Sequence, residues 1–135
     1  MTKIFNSLEE IQKYYDKESN TYIFKEYGMY INLVVFNFDL NVKSNICAWN
    51  IYAKNINALN INARDIYICY LNANDIKAHD ISAASINANN ISYYAVCYAY
   101  ENIKCKSIKG RKHNSKHFVL DGQIYIDGTI ETIKE

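Results

Sequence analysis

The 135-residue chain has no proline, only four glycines and a single tryptophan. Without proline and with so little glycine it contains no recognisable flexible linker, and at this length a single domain spanning 1–135 is expected. No stretch approaches the roughly eighteen consecutive apolar residues that a membrane-spanning helix needs, so no membrane contact is expected. Met1 to Ile11 includes acidic residues and lacks the apolar run of a secretory leader. The expected location is therefore the cytoplasm. Neither sign of charge dominates, because 15 Lys and Arg face 14 Asp and Glu for a net +1.

Motifs for catalysis are also missing. There is no Gly-x-Ser-x-Gly, no His-Glu-x-x-His and no Gly-x-x-x-x-Gly-Lys, and Gly110-Arg111-Lys112 lacks the second glycine of a phosphate-cradling loop. A non-enzyme without cofactor is expected. Cys47, Cys69, Cys97 and Cys105 are spaced too irregularly for a zinc knuckle or a disulfide framework, and read as reduced packing thiols. His113 and His117 have an i, i+4 spacing that suits a metal only on a helix, and their segment has neither helical periodicity nor a third ligand. No metal site is expected.

What the chain has instead is a five-residue beat. Ile46, Ile51, Ile56, Ile61, Ile66, Leu71, Ile76, Ile81, Ile86, Ile91 and Val96 are all branched aliphatics, and Ala follows most of them by two positions. Asn or Asp precedes most of them, so the unit is Ile-x-Ala-x-Asn/Asp. On an α-helix these isoleucines would spiral around the axis instead of forming a stripe. On a flat strand an odd period would flip them to opposite faces. Both problems vanish if each pentad is one short wall of a solenoid, with Ile and Ala inward and the chain turning at x-Asn/Asp. Stacked coils would then pair backbone groups from rung to rung at about 4.8 Å. Asn and Asp suit the corners because they tolerate unusual backbone angles and bond nearby amides. The fold class expected is all-β with one short N-terminal helix: a single-stranded β-solenoid capped at both ends.

Over residues 46–100 the pattern resembles the pentapeptide-repeat β-helix proteins, although Ala here follows the large residue, as in Ile76-Lys77-Ala78-His79-Asp80. The wider layout, from Phe36-Asn37-Phe38-Asp39-Leu40 to Lys106-Ser107-Ile108-Lys109-Gly110, is similar to small phage and mobile-element proteins of AT-rich bacteria. The resemblance implies four pentads per coil, and that is the expectation taken here. Asn57, Asn72 and Asn87, and likewise Tyr52 and Tyr67, recur at fifteen and point instead to three.

Around the repeats, 1–20 is expected to form a capping helix, 21–45 lead-in strands, 46–110 the solenoid and 111–135 a closing β-hairpin. Ser7-Leu8-Glu9-Glu10 is a capping box, and Leu8, Ile11, Tyr14 and Tyr15 share one face of a helix over 8–18. A turn is expected at Tyr27-Gly28, and hairpin turns at Asp121-Gly122 and Asp127-Gly128. Near the end of the repeat Tyr93 and Tyr98 stand in for alanine, and the next aliphatic, Ile103, arrives two residues late. An alanine-filled lumen must widen there, or the rings must turn out.

The broken rhythm adjoins the one concentrated charge. Lys104, Lys106, Lys109, Arg111, Lys112 and Lys116 contribute six positive charges with no acid among them. With Tyr93, Tyr94, Tyr98 and Tyr100 they form the expected partner-binding set, in which lysines hold phosphates and rings stack on bases or anchor a protein. Trp49, Tyr52, Tyr67 and Tyr70 are expected outside the lumen, where aromatics anchor interfaces. The resemblance adds that some pentapeptide-repeat proteins mimic duplex DNA and occupy type II topoisomerases. Those mimics are acidic, whereas Asp65, Asp75, Asp80 and Glu101 are offset here by Lys54, Arg64 and Lys77. The leading expectation is a phage or mobile-element protein that inhibits a host protein or ribonucleoprotein complex, of the CRISPR-nuclease or topoisomerase type, by occlusion. Its rivals are direct RNA or single-stranded DNA binding through 104–117, and a self-associating solenoid, with a homodimer as its simplest form.

Overall fold

The computed structural model describes residues 2–26, 29–30 and 33–131. It is a β-solenoid of about five turns. Ile61 pairs in parallel with both Ile46 and Ile76, so a central coil takes fifteen residues. Three pentads, not four, therefore make a coil, and the section has three walls. With Ile and Ala both inward, three isoleucines already fill the section, and Ala sits beside the bend where the walls converge, a seat that Ile68 takes in register with Ala53 and Ala83.

The first wall carries Thr21–Ile23, Asn45–Cys47, Asn60–Asn62, the starts of Asp75–Asn87 and Asn90–Cys105, and Ser107–Gly110. The second stacks Thr2–Phe5, Leu33–Phe36, the first halves of Asn50–Asn57 and Asp65–Asn72, the middle parts of the two long strands, and Lys116–Val119. The third runs from Leu40–Asn41 to Gln123–Ile126. Inside, Ile46, Ile61, Ile76 and Ile91 form one buried column, and Ile51, Ile66 and Ile81 form the second. Leu40, Ile56, Leu71, Ile86, Ile103 and Ile124 form the third. Each such side chain contributes about 1.5–3 kcal/mol by burial.

Corner asparagines act through their side chains. Asn60 donates to Asn45 at 3.0 Å and accepts from the Asp75 amide at 3.0 Å; Asn90 donates to Asp75 at 2.8 Å, and Ser107 to Asn90 at 2.7 Å. This polar ladder locks coil to coil. Among the described non-glycine residues only Asn20 and Asp127 have positive φ, so the pentad corners need no left-handed backbone.

Coil length grows at both ends. Val34 pairs with Ile51 and Tyr22 with Ile46, separations of seventeen and twenty-four residues, the longer one including a separate antiparallel pair of Lys25–Glu26 with Met29–Tyr30. Into that N-terminal section fit Phe5, Tyr14, Phe24 and Phe36, with ring centroids 5.3–5.7 Å apart. At the other end two bulges, opposite Ala78/Asp80 and Ala83/Ser85, lengthen the coil one residue at a time. Ile91 then pairs with Ile108, seventeen on, and Cys97 with His117, twenty on. The late arrival of Ile103 is thus absorbed in two steps. After the first bulge Cys97, not Val96, takes the inward seat beside Ile81, and Ala99 sits beside Ala83 while Tyr98 faces outward.

Several local expectations are corrected. The N-terminal α-helix covers only Leu8–Ile11, continues as a 3₁₀ turn to Tyr14, and gives way to a strand, Tyr15–Asp16, pairing antiparallel with Thr21–Ile23. Ser7 does cap the Glu10 amide at 3.4 Å, and the Glu10 carboxylate accepts from the Asn6 amide. Thr2–Phe5, expected within the cap, is a rung of the second wall. Asp121-Gly122 is a corner between parallel walls, because the strands on either side continue the coil. Asp127-Gly128 is a true hairpin turn between Gln123–Ile126 and Thr129–Glu131, with both residues at positive φ as a type I′ turn needs. The turn expected at Tyr27-Gly28 lies outside the described residues.

Candidate functional site

Because one coil takes fifteen residues, side chains fifteen apart share an outward row, and each wall has its own chemistry. The first wall shows Cys47, Asn62, Lys77, Ser92 and Lys109. The third shows Asn41, Asn57, Asn72, Asn87, Lys104 and Tyr125. Among the described residues the second is the one with an aromatic run: Tyr52, Tyr67, Ser82, Tyr98 and Phe118 follow one another along it. Tyr52 and Tyr67 stack with centroids 4.7 Å apart and planes at 19°, and Tyr98 lies 4.9 Å from Phe118. Lys116 Nζ approaches the Phe118 ring at 5.5 Å.

The edges of this wall extend the apolar surface. Trp49 and Tyr94 stand at its corner with the first wall, and Tyr70, Tyr100 and Leu120 at its corner with the third; all five are exposed. The first of these corners is a ladder at fifteen-residue spacing, in which Arg64 lies 5.2 Å from the Trp49 ring and His79 stacks on Tyr94 at 5.1 Å. Backbone bonds fix the rungs, from the Arg64 amide to Trp49 O at 2.7 Å and from the His79 amide to Arg64 O at 2.8 Å. The Tyr67 pKa is raised, first by partial desolvation and then by Tyr52, Asp65 and Asp80 nearby.

The residues expected to bind a partner do not form one patch. Tyr93 is buried in the lumen in the column of Ala78, where its hydroxyl meets His117 Nδ1 at 2.7 Å. It has no surface to offer. Tyr94, Tyr98 and Tyr100 do reach the aromatic wall or its edges. The basic residues encircle the last coil: Lys104 is on the third wall, Lys106 on the next corner, Lys109 on the first wall, and Arg111 and Lys112 on the corner before Lys116 on the second. Arg111 is tied down, donating from Nη2 to Ala78 O at 2.6 Å. Of this set the structure gathers Tyr98 and Lys116 around Phe118, a residue outside the expected set.

His113 lies in a turn, and His117 points at Tyr93, so their i, i+4 spacing has no helix to act on. Among the described residues no group of three or more His, Cys, Asp or Glu could hold a metal ion, and no helix is long and apolar enough to cross a membrane. Comparison with protein-family models, with curated proteins and with solved structures finds no match.

Proposed function

We propose that this chain is a non-enzymatic binding protein that docks a protein partner on its second wall. The row of Tyr52, Tyr67, Tyr98 and Phe118 carries the reading, since the matching rows of the other two walls are mostly polar, with Tyr125 their single ring. Aromatic side chains bring large contact area with few torsions to freeze, and a sheet held by rung-to-rung hydrogen bonds costs little to order on binding. Leu120, Tyr70 and Tyr100 extend the surface on one side and Trp49 and Tyr94 on the other, with Arg64 and Lys116 as charged neighbours.

The partner class rests on the sequence. A pentapeptide-repeat-like protein of phage or mobile-element type would use this wall to occlude a host complex that handles nucleic acid, such as a CRISPR nuclease or a topoisomerase. Direct capture of a strand through 104–117 is the weaker reading, because a strand needs cations along one track and these six encircle a coil.

The test compares the wild type with Tyr52→Ser/Tyr67→Ser in pull-downs from bacterial lysate. Recovery of a nucleic-acid-handling complex by the wild type alone is expected. If no such complex is recovered, or if both proteins recover it equally, the reading fails. Sedimentation of the wild type should show a monomer at every concentration; self-association abolished by the double variant would instead assign the wall to a second copy of this chain.

A further inference from the structure

We propose that the groove along the corner between the first and second walls binds a nucleotide. This site adjoins the edge of the proposed docking wall, sharing Trp49 and Arg64 with it, but its ligand contacts need no partner on the row of Tyr52, Tyr67, Tyr98 and Phe118. The groove has a volume of about 360 Å³, and Trp49, Arg64, Lys77, His79 and Arg111 line it. That volume lies within the range of small-ligand sites, roughly 300–1,000 Å³. Its lining includes no acidic side chain.

The coil period makes the site. Lys77 stands outward on the first wall, beside Asn62 in the adjoining rung. Arg64 and His79 come from successive passes of the same corner, and Arg111 reaches back from the last coil. Three permanent cations from positions far apart in sequence thus line one depression. Guanidinium groups suit phosphate because their planar fork can donate two parallel hydrogen bonds. Both arginines are already held, Arg111 by Ala78 O at 2.6 Å and Arg64 against the Trp49 ring at 5.2 Å, so little further ordering is needed on binding. One Arg111 nitrogen serves the carbonyl, and the fork has further donors to offer. Trp49, 39% exposed, supplies the apolar surface for a planar base, while the phosphate lies among Arg64, Lys77 and Arg111.

The chain has one tryptophan, and it lines this groove, so its fluorescence reports on the site directly. ATP, adenosine and inorganic phosphate are titrated separately, with calorimetry as a readout independent of the indole. ATP is expected to bind saturably and change Trp49 emission, adenosine and phosphate to bind far more weakly. Lys77→Gln and Arg64→Gln should each weaken ATP binding about tenfold with an unchanged circular dichroism spectrum, and Arg64→Lys should restore part of it. The proposal is overturned if ATP gives no saturable signal up to about 1 mM. It is equally overturned if Lys77→Gln and Arg64→Gln bind ATP like the wild type, or if phosphate binds as tightly as ATP. Binding of single-stranded oligothymidylate without binding of ATP would assign the groove to a strand and overturn the small-ligand assignment.

Discussion

Cys97 sits where isoleucine sits one coil earlier, and burial there, with Cys105 close by, pushes its thiol from 9.0 up to about 12. The native thiol thus keeps its proton where the unfolded chain would release it. Stability from this group is complete below pH 9, and is lost progressively as pH rises from there through about 12. Cys97→Val should flatten the alkaline arm of a denaturation-against-pH profile. In the native protein at neutral pH, iodoacetamide should label exposed Cys69 and spare Cys97 and Cys105 until denaturant is added; labelling of Cys97 at the rate of Cys69 would contradict its burial. At this scale the beat of isoleucines was readable in the sequence, because burial of one aliphatic per wall is a local rule. The fates of Tyr93 and Val96 were not. Tyr93 keeps the inward seat of Ala78 and the coil after it is longer, while Val96 loses its seat to Cys97 through the bulge at Tyr94-Ala95.

Two Asp-Gly pairs close to each other show what an element inherits from its surroundings. A Cβ on Gly122 would lie 1.5 Å from the carbonyl oxygen of Glu101, in the coil beneath, whereas one on Gly128 would meet nothing within 4 Å. Gly122 therefore permits close approach of two rungs at a corner, and Gly128 permits positive φ in a free hairpin turn. Gly122→Ala should cost about 1–3 kcal/mol in chemical denaturation, as overpacking does. Gly128→Ala should cost about 1 kcal/mol or less and loosen only the terminal hairpin in hydrogen exchange. The two dipeptides are identical in sequence, so local turn chemistry could not separate them. The N-terminal helix met a similar limit. Its capping box was legible, but pairing of Tyr15–Asp16 with Thr21–Ile23 ends it early.

For the whole molecule the decisive quantity is residues per coil. Nearly identical pentads make the walls interchangeable inside, since each supplies an aliphatic and a small residue, but they differ outside. Deleting residues 71–85 removes one coil and should leave Tyr67 and Tyr98 on one wall, one rung closer by about 4.8 Å. Deleting 71–75 should also leave a folded solenoid, but with its C-terminal part turned by one wall. Spin labels replacing Tyr67 and Tyr98 should then move apart in the short deletion and together in the long one, with β-type circular dichroism in both. Equal distances in the two deletions would refute a three-walled coil.

The solenoid itself was written in the sequence, because a period of five with two inward residues leaves neither helix nor flat sheet as a way to bury them. The asparagine corners and the hairpin at Asp127-Gly128 were legible for the same reason, being satisfied by neighbours near in sequence or repeated at every turn. The number of walls, and with it the aromatic row and the cationic groove, belonged to the tertiary structure. Residues fifteen apart become neighbours only once the coil closes after three pentads. The two ends, where Phe24 and Tyr93 replace alanine inside, depend on coil lengths that no single pentad specifies.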